Sequence, residues 1–189
     1  MAMRAFFLIC GGALLLTGAG PVLAQQKSDG YALIEAVKKD DASAALQLLR
    51  DNPTLVDTRD ENGDTPLMIA LRRNNRAWTG QFLNSGANVE LAAKNGDTPI
   101  ILAARVGMED AIGWMIRLGV KIDSANKMGE TALIIVVLGR NLRLAKLLLA
   151  AGANPDKSDY SGHSARDYAA RDNRSRQMSE MIEKAKPKG

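Results

Sequence analysis

A chain of 189 residues has the size of one domain with appendages. Hydrophobic residues make up 46% and charged residues 24%, which excludes disordered and collagen-like chains, and two Trp, three Tyr and three Phe are too few for the stacking platforms of a single-stranded nucleic acid binder. A formal charge of +4 arises from 25 basic and 21 acidic residues that are interleaved, which argues against nucleic acid as a partner, and the single His and single Cys remove most metal and nucleophile chemistry.

Residues 1–24 differ from the rest. Arg4 gives a short positive start, Ala5 to Leu16 is an apolar run, and Gly18, Gly20 and Pro21 break it before Val22-Leu23-Ala24. This is the plan of a secretory signal, with cleavage expected after Ala24. Ala5 to Ala24 is also long enough for an uncleaved anchor, but the short apolar run and small-residue end favour cleavage. Lipidation at Cys10 is not expected, because Phe7-Leu8-Ile9 lacks a small residue before it. The expected mature chain is periplasmic, carries no membrane span, and holds together by packing without a disulfide. In a eukaryotic source Asn173-Arg174-Ser175 would become a glycosylation acceptor.

After a short linker at 25–27, the chain is periodic. Gly63, Gly96, Gly129 and Gly162 stand 33 residues apart, with Gly30 one step earlier. Asp64-Thr65-Pro66-Leu67, Asp97-Thr98-Pro99-Ile100 and Glu130-Thr131-Ala132-Leu133 follow three of them, and Gly86, Gly119 and Gly152 form a second series of the same period. Threonine caps a helix by accepting from free backbone N–H groups, and proline at the first helical position loses no needed donor. Helices are therefore predicted from about Thr65, Thr98 and Thr131. Asn74-Asn75 or Gly107 breaks the first helix of a unit, and a second runs through Trp78, Phe82 and Leu83. Gly86, Gly119 and Gly152 stop the second helices. The run Leu133-Ile134-Ile135-Val136-Val137-Leu138 passes locally for a strand, but its register marks a helix sandwiched between neighbours. Trp78 and Trp114, on second helices, are expected in the core.

Gly-Asp-Thr-Pro-Leu-Met-Ile-Ala at 63–70, Gly-Asp-Thr-Pro-Ile-Ile-Leu-Ala at 96–103, Ser85-Gly86-Ala87-Asn88-Val89 and Ala151-Gly152-Ala153-Asn154-Pro155 together resemble the ankyrin repeat family. The resemblance covers about 28–185 and implies an all-α solenoid of five stacked helix-turn-helix units, 28–59, 60–92, 93–125, 126–158 and 159–185. The first unit lacks Thr-Pro and carries Lys38, Lys39, Asp40 and Asp41, as a polar amino-terminal cap would. The last has Ser164-Ala165-Arg166-Asp167 in place of the motif. It reads as a carboxy-terminal cap with Arg171, Asp172, Arg174 and Arg176 in water, and Tyr168, Ala169, Met178, Met181 and Ile182 in the core. Residues 186–189 are expected to be a disordered tail. The family usually has His after Thr-Pro-Leu, but here the positions hold Met68, Ile101, Ile134 and Asp167, so a less rigid stack of turns is expected.

No catalytic, metal or cofactor site is expected. His163 sits at a turn tip, where an exposed role is the ordinary one, and its neighbour Ser164 has no orienting acid at a meaningful spacing. Asp40-Asp41 and Asp60-Glu61 fall in turns, and the mature chain has no glycine-rich phosphate loop.

In ankyrin-like stacks the turn tips and first helices form a continuous concave surface, which the resemblance implies as the binding face. By register its exposed positions include Glu61, Asn62, Asp64, Asn95, Asp97, Glu130, Ser161, His163 and Asp172. The residues expected to grip a partner are Arg72, Arg73, Lys94, Arg105, Val106, Lys127, Met128, Leu138, Tyr160 and Arg171. Arginine and aromatic anchors are the commonest energetic centres of protein interfaces. The expected function is non-catalytic recognition of a partner protein with an acidic or mixed acidic and apolar surface in the cell envelope, masking or inhibiting it. The alternatives are a scaffold or stress-protection factor that organises envelope proteins without inhibition, and an envelope hydrolase as the enzyme comparator.

Overall fold

A computed structural model describes residues 20–172 and 174–186, those of 20–27 by backbone alone. Most of the expected signal segment, the glycosylation candidate Asn173 and tail residues 187–189 lie outside the described residues. Helix α1, Gly20–Lys38, includes residues 25–27, so the segment expected as a linker is helical, and Gly20 and Pro21 open a helix.

The predicted helix pairs follow in register: α3 (Pro66–Arg72) with α4 (Arg76–Asn84), α5 (Pro99–Val106) with α6 (Glu109–Arg117), and α7 (Ala132–Leu138) with α8 (Leu142–Ala150). The first unit adds α2 (Ala42–Asp51) and a 3-10 turn at Pro53–Asp57, and the last holds α9 (Ala165–Arg171) and α10 (Arg176–Lys184). No strand occurs among the described residues; isolated antiparallel bridges join Ala125 to Thr131 and Ser158 to Ser164.

Thr65 and Thr131 accept from the Met68 and Ile134 amides at 3.3 Å, closing the first turn of α3 and α7 as predicted. Thr98 departs from the pattern. Its hydroxyl lies 3.0 Å from the Ser124 Oγ and makes no cap bond, because the next turn offers a nearer partner. Between paired helices the chain passes through the left-handed region at Asn74, Gly107 and Arg140.

The first helices α1, α3, α5, α7 and α9 pack side by side in chain order, and the second helices line up behind them with fewer mutual contacts. In α7 every residue from Ala132 to Val137 is buried, as a helix enclosed by neighbours must be.

Two ladders bind unit to unit. At the tips, the amides of Lys94, Lys127 and Tyr160 donate to the carbonyls of Asn62, Asn95 and Met128 at 2.9, 3.2 and 3.0 Å. At the opposite turns, Asp57, Glu90 and Asp123 accept from the amides of Asn88, Lys121 and Asn154 at 2.9, 2.7 and 2.9 Å. Between these ladders lies the continuous apolar core.

Both ends are clasped by side chains. Trp78, buried and stacked on Phe82, donates from its Nε1 to Asp40, and Lys38 reaches Asp60 at 3.6 Å. In the last unit Ser164 and Asp167 form a capping box. The Arg166 guanidinium holds the Asp156 carboxylate and donates to the Ile182, Glu183 and Ala185 carbonyls that end α10. Ala169, Met178 and Ile182 are buried and Tyr168 and Met181 half-buried, close to expectation.

Candidate functional site

The residues expected to grip a partner divide into engaged and free groups. Arg72 closes a two-pronged pair on Asp64, with Nε and Nη2 at 2.7 and 3.2 Å from its oxygens. Arg105 repeats this from the equivalent place, its Nη2 lying 3.4 Å from both Asp97 and Glu130. Arg73 donates to the Val37 carbonyl at 2.9 Å and so ties the second unit to the first. All three reach the surface, but Arg72 and Arg105 are paired with acids of the protein itself, and Arg73 is tied to a backbone carbonyl.

Two positions expected to be exposed are buried. Asp64 and Asp97 are 5% and 2% exposed. A carboxylate is buried at such cost only when paired and hydrogen-bonded, and Asp97 receives Asn95 and Asn126 amide groups as well as Arg105. Val106 is likewise half-buried against the core and offers no free anchor. Asp172, expected in water, is half-buried between Arg140 and Arg174.

The free group lies on the tips and toward the last two units. Lys94 and Lys127 are exposed and have no ion-pair partner among the described residues. Met128, Leu138 and Tyr160 are 58%, 49% and 81% exposed. Arg171 is exposed, also without an ion-pair partner among the described residues. Lys94, Lys127 and Tyr160 hold one register position, and their backbones are linked through the tip ladder, so their side chains share one edge.

Arg140, absent from the sequence expectation, and Arg174, expected only as a solvated residue of the last cap, join this group. Both hold Asp172, and with Arg171 they edge an open cleft between the ends of α7 and α9. Arg140 stands 33 residues after Gly107, a regularity visible in the sequence, but its neighbours across the unit boundary are not.

The side chains that could carry chemistry are occupied otherwise. The Ser164 hydroxyl bonds the Asp167 carboxylate at 2.6 Å, a contact that lowers the Asp167 pKa, and it forms no pair with His163. The His163 ring is half-buried and lies 5.5 Å from the Tyr168 ring rather than free in solvent. Tyr168 in turn donates to Asp159 at 2.6 Å, which holds the Asp159 carboxyl below its ordinary range and raises the phenol. Trp114 is half-buried, with the Arg76 guanidinium 5.6 Å from its ring centroid. Among the described residues no three His, Cys, Asp or Glu side chains group to hold a metal, and no helix is long and apolar enough to cross a membrane.

The family model described as ankyrin repeats (3 copies) matches three overlapping stretches, residues 33–126, 79–159 and 102–186, which together span well over half of the chain. No curated protein matches the chain at a significant level.

Proposed function

Since the chain belongs to the ankyrin repeat family, whose repeats are in general protein-interaction modules and typically non-catalytic, we propose that it works in the cell envelope by recognising a partner protein through its concave face, masking or inhibiting that partner. The carrying observation is the unequal use of side chains. Arg72, Arg73 and Arg105 are consumed by internal bonds, whereas Lys127, Met128, Leu138 and Tyr160 stand uncommitted on the tips and first-helix ends. Exposed apolar side chains beside unpaired cations suit a partner of mixed acidic and apolar character. The leader-like segment 1–24 supports the envelope location.

Photocrosslinking amino acids at positions 128, 138 and 160, compared with Gln81 and Lys146 on the second helices, test the face. Adducts with a protein are expected from the first three positions, and adducts from 81 and 146 alone would refute the concave site. The activity of the crosslinked partner, measured with and without this protein, then separates inhibition from scaffolding. Substitution to glutamate at Arg72 or Arg105 is unsuitable for this test, because each would set a second carboxylate against a buried aspartate.

A further inference from the structure

The turn between α7 and α8 departs from the other units in one residue. The left-handed position between paired helices is held by Asn74 at φ +52° and Gly107 at φ +76°, residue types that enter this region readily. In the next unit it is held by Arg140 at φ +54°. Arginine gains nothing there from its backbone. Its side chain crosses the unit boundary and donates from Nε to the Asp172 carboxylate.

Asp172 is also bound by Arg174, through the backbone amide at 3.0 Å and the guanidinium Nε at 3.4 Å. Arg171, one residue before Asp172, completes the rim. Three arginines therefore line an open cleft of about 500 Å³ whose lining holds one carboxylate, Asp172, already shared by Arg140 and Arg174. Asp167, one turn earlier on α9, is turned to the Ser164 cap and does not line the cleft, although its charge acts on Arg171 from outside it. The walls are Val137, Leu138 and Tyr168.

The repeat register explains why charge is left over here. Arg72 and Arg105 are each neutralised by the acid eight residues before them. In the following unit Leu138 takes the arginine's place, and the corresponding acid, Glu130, is given to Arg105 and Asn126. This junction thus lacks the arginine-to-acid clasp eight residues apart that the others have, and presents an apolar side chain beside arginines that share one carboxylate.

We propose that this cleft receives an acidic peptide segment of the partner, its carboxylates bridging Arg140, Arg171 and Arg174 and an adjacent apolar side chain resting on Leu138 and Val137. The proposal rests on the concave-face reading and specifies which part of that face recognises what. Asp172 orients the guanidinium planes of Arg140 and Arg174 before a ligand arrives, and planar guanidinium groups suit carboxylates because they offer two parallel donors.

Fluorescence anisotropy of the full chain with a labelled Gly-Ser-Glu-Leu-Asp-Glu-Leu-Ser-Gly peptide, and with its Gln/Asn counterpart, tests the assignment. The acidic peptide is expected to bind roughly tenfold or more tightly than the amide version, and Arg171→Gln and Arg140→Gly each to weaken it by about that factor. Arg140→Gly is the informative variant. Glycine fits the left-handed turn, so its thermal midpoint should be unchanged or higher while binding falls. Equal binding of the two peptides, undiminished binding to Arg140→Gly, or a lowered midpoint that accounts for the loss would overturn the proposal. So would complete displacement by inorganic phosphate, which would mark a simple anion site, or preferential binding of an oligothymidine. Partner crosslinks from position 160 that persist undiminished in an Arg140→Gly, Arg171→Gln double variant would remove this assignment and leave the concave-face reading standing.

Discussion

Gly96 has no room for a methyl group. A Cβ built there would stand 2.5 Å from the Lys127 amide nitrogen and 3.0 Å from the Asn126 carbonyl carbon, while φ is +85°. The intruding atoms belong to the backbone of the following unit, held by the bond from Lys127 to the Asn95 carbonyl. They cannot swing aside as a side chain would. Gly86 has nearly the same φ, +82°, and nothing within 4 Å. The two glycines therefore separate a conformational cost from a packing cost. Gly86→Ala should lose about 1 kcal/mol, the penalty of a Cβ in the left-handed region, and Gly96→Ala roughly 3 kcal/mol, because overlap with fixed backbone is added. Urea unfolding of the two variants measures the difference. Equal losses would mean that the tips are not pressed together. Gly162, in the same series, meets nothing within 4 Å, because no further described unit stacks on it.

At the scale of the element, the tips replace the missing histidine with a different tie. Asp60 Oδ1 accepts from the Asn62 and Asp64 amides at 2.8 and 2.9 Å, Asn126 Oδ1 from Met128 and Glu130 at 2.9 and 3.0 Å, and Asp159 Oδ1 from Ser161 and His163 at 2.8 and 3.1 Å. Ala93, in the same register, has no such acceptor; at that tip Asn95 Oδ1 accepts from the Asp97 amide at 3.1 Å instead. The Asp159 tip also carries a pH dependence. Its carboxyl is depressed, first by the Tyr168 hydroxyl bond and further by the His163 and Ser161 amides. A depressed folded-state value means that the folded chain binds fewer protons than the unfolded one in that range, so the stabilisation is complete above the ordinary carboxyl value near pH 4 and is lost as pH falls through the folded value. Tyr168→Phe removes the largest cause, and its stability should fall less steeply between about pH 4 and pH 2 than that of the parent. Parallel acid branches in denaturant titrations of the two proteins would contradict the assignment. The helix pairs and tips were legible because each depends on residues within one unit, such as Thr65 with Met68 or the glycine of each turn. The burial of Asp64 and Asp97 was not, since it depends on an arginine that meets the acid only after α3 or α5 has run its length. The acids at 57, 90, 123 and 156 repeat with the same period, but their role appears only across unit boundaries, as does that of Arg140.

For the whole molecule, contacts between successive units decide which part yields first. Helix α5 buries every residue from Pro99 to Ala104 and α7 every residue from Ala132 to Val137, whereas α9 buries Ala165 and Ala169, and α10 buries Met178 and Ile182. The last unit has a neighbour on one side only among the described residues and depends on Arg166 to hold its second helix. Yet it supplies Tyr168, Arg171 and Asp172, one wall of the arginine cleft, so the weakest unit carries part of the candidate site. In a stack whose stability is a sum over units and their interfaces, a defect at one end is paid for locally. Ile182→Asp places a carboxylate at a fully buried position, at a cost of about 3 kcal/mol or more, which exceeds what a terminal unit with so small an interior is expected to hold. Hydrogen exchange should then be fast throughout 159–186 while the amides of α3 to α8 keep their protection, and binding of the acidic peptide should disappear with the last unit. Loss of protection along the entire chain would show that the units unfold as one block and would contradict the local failure expected here.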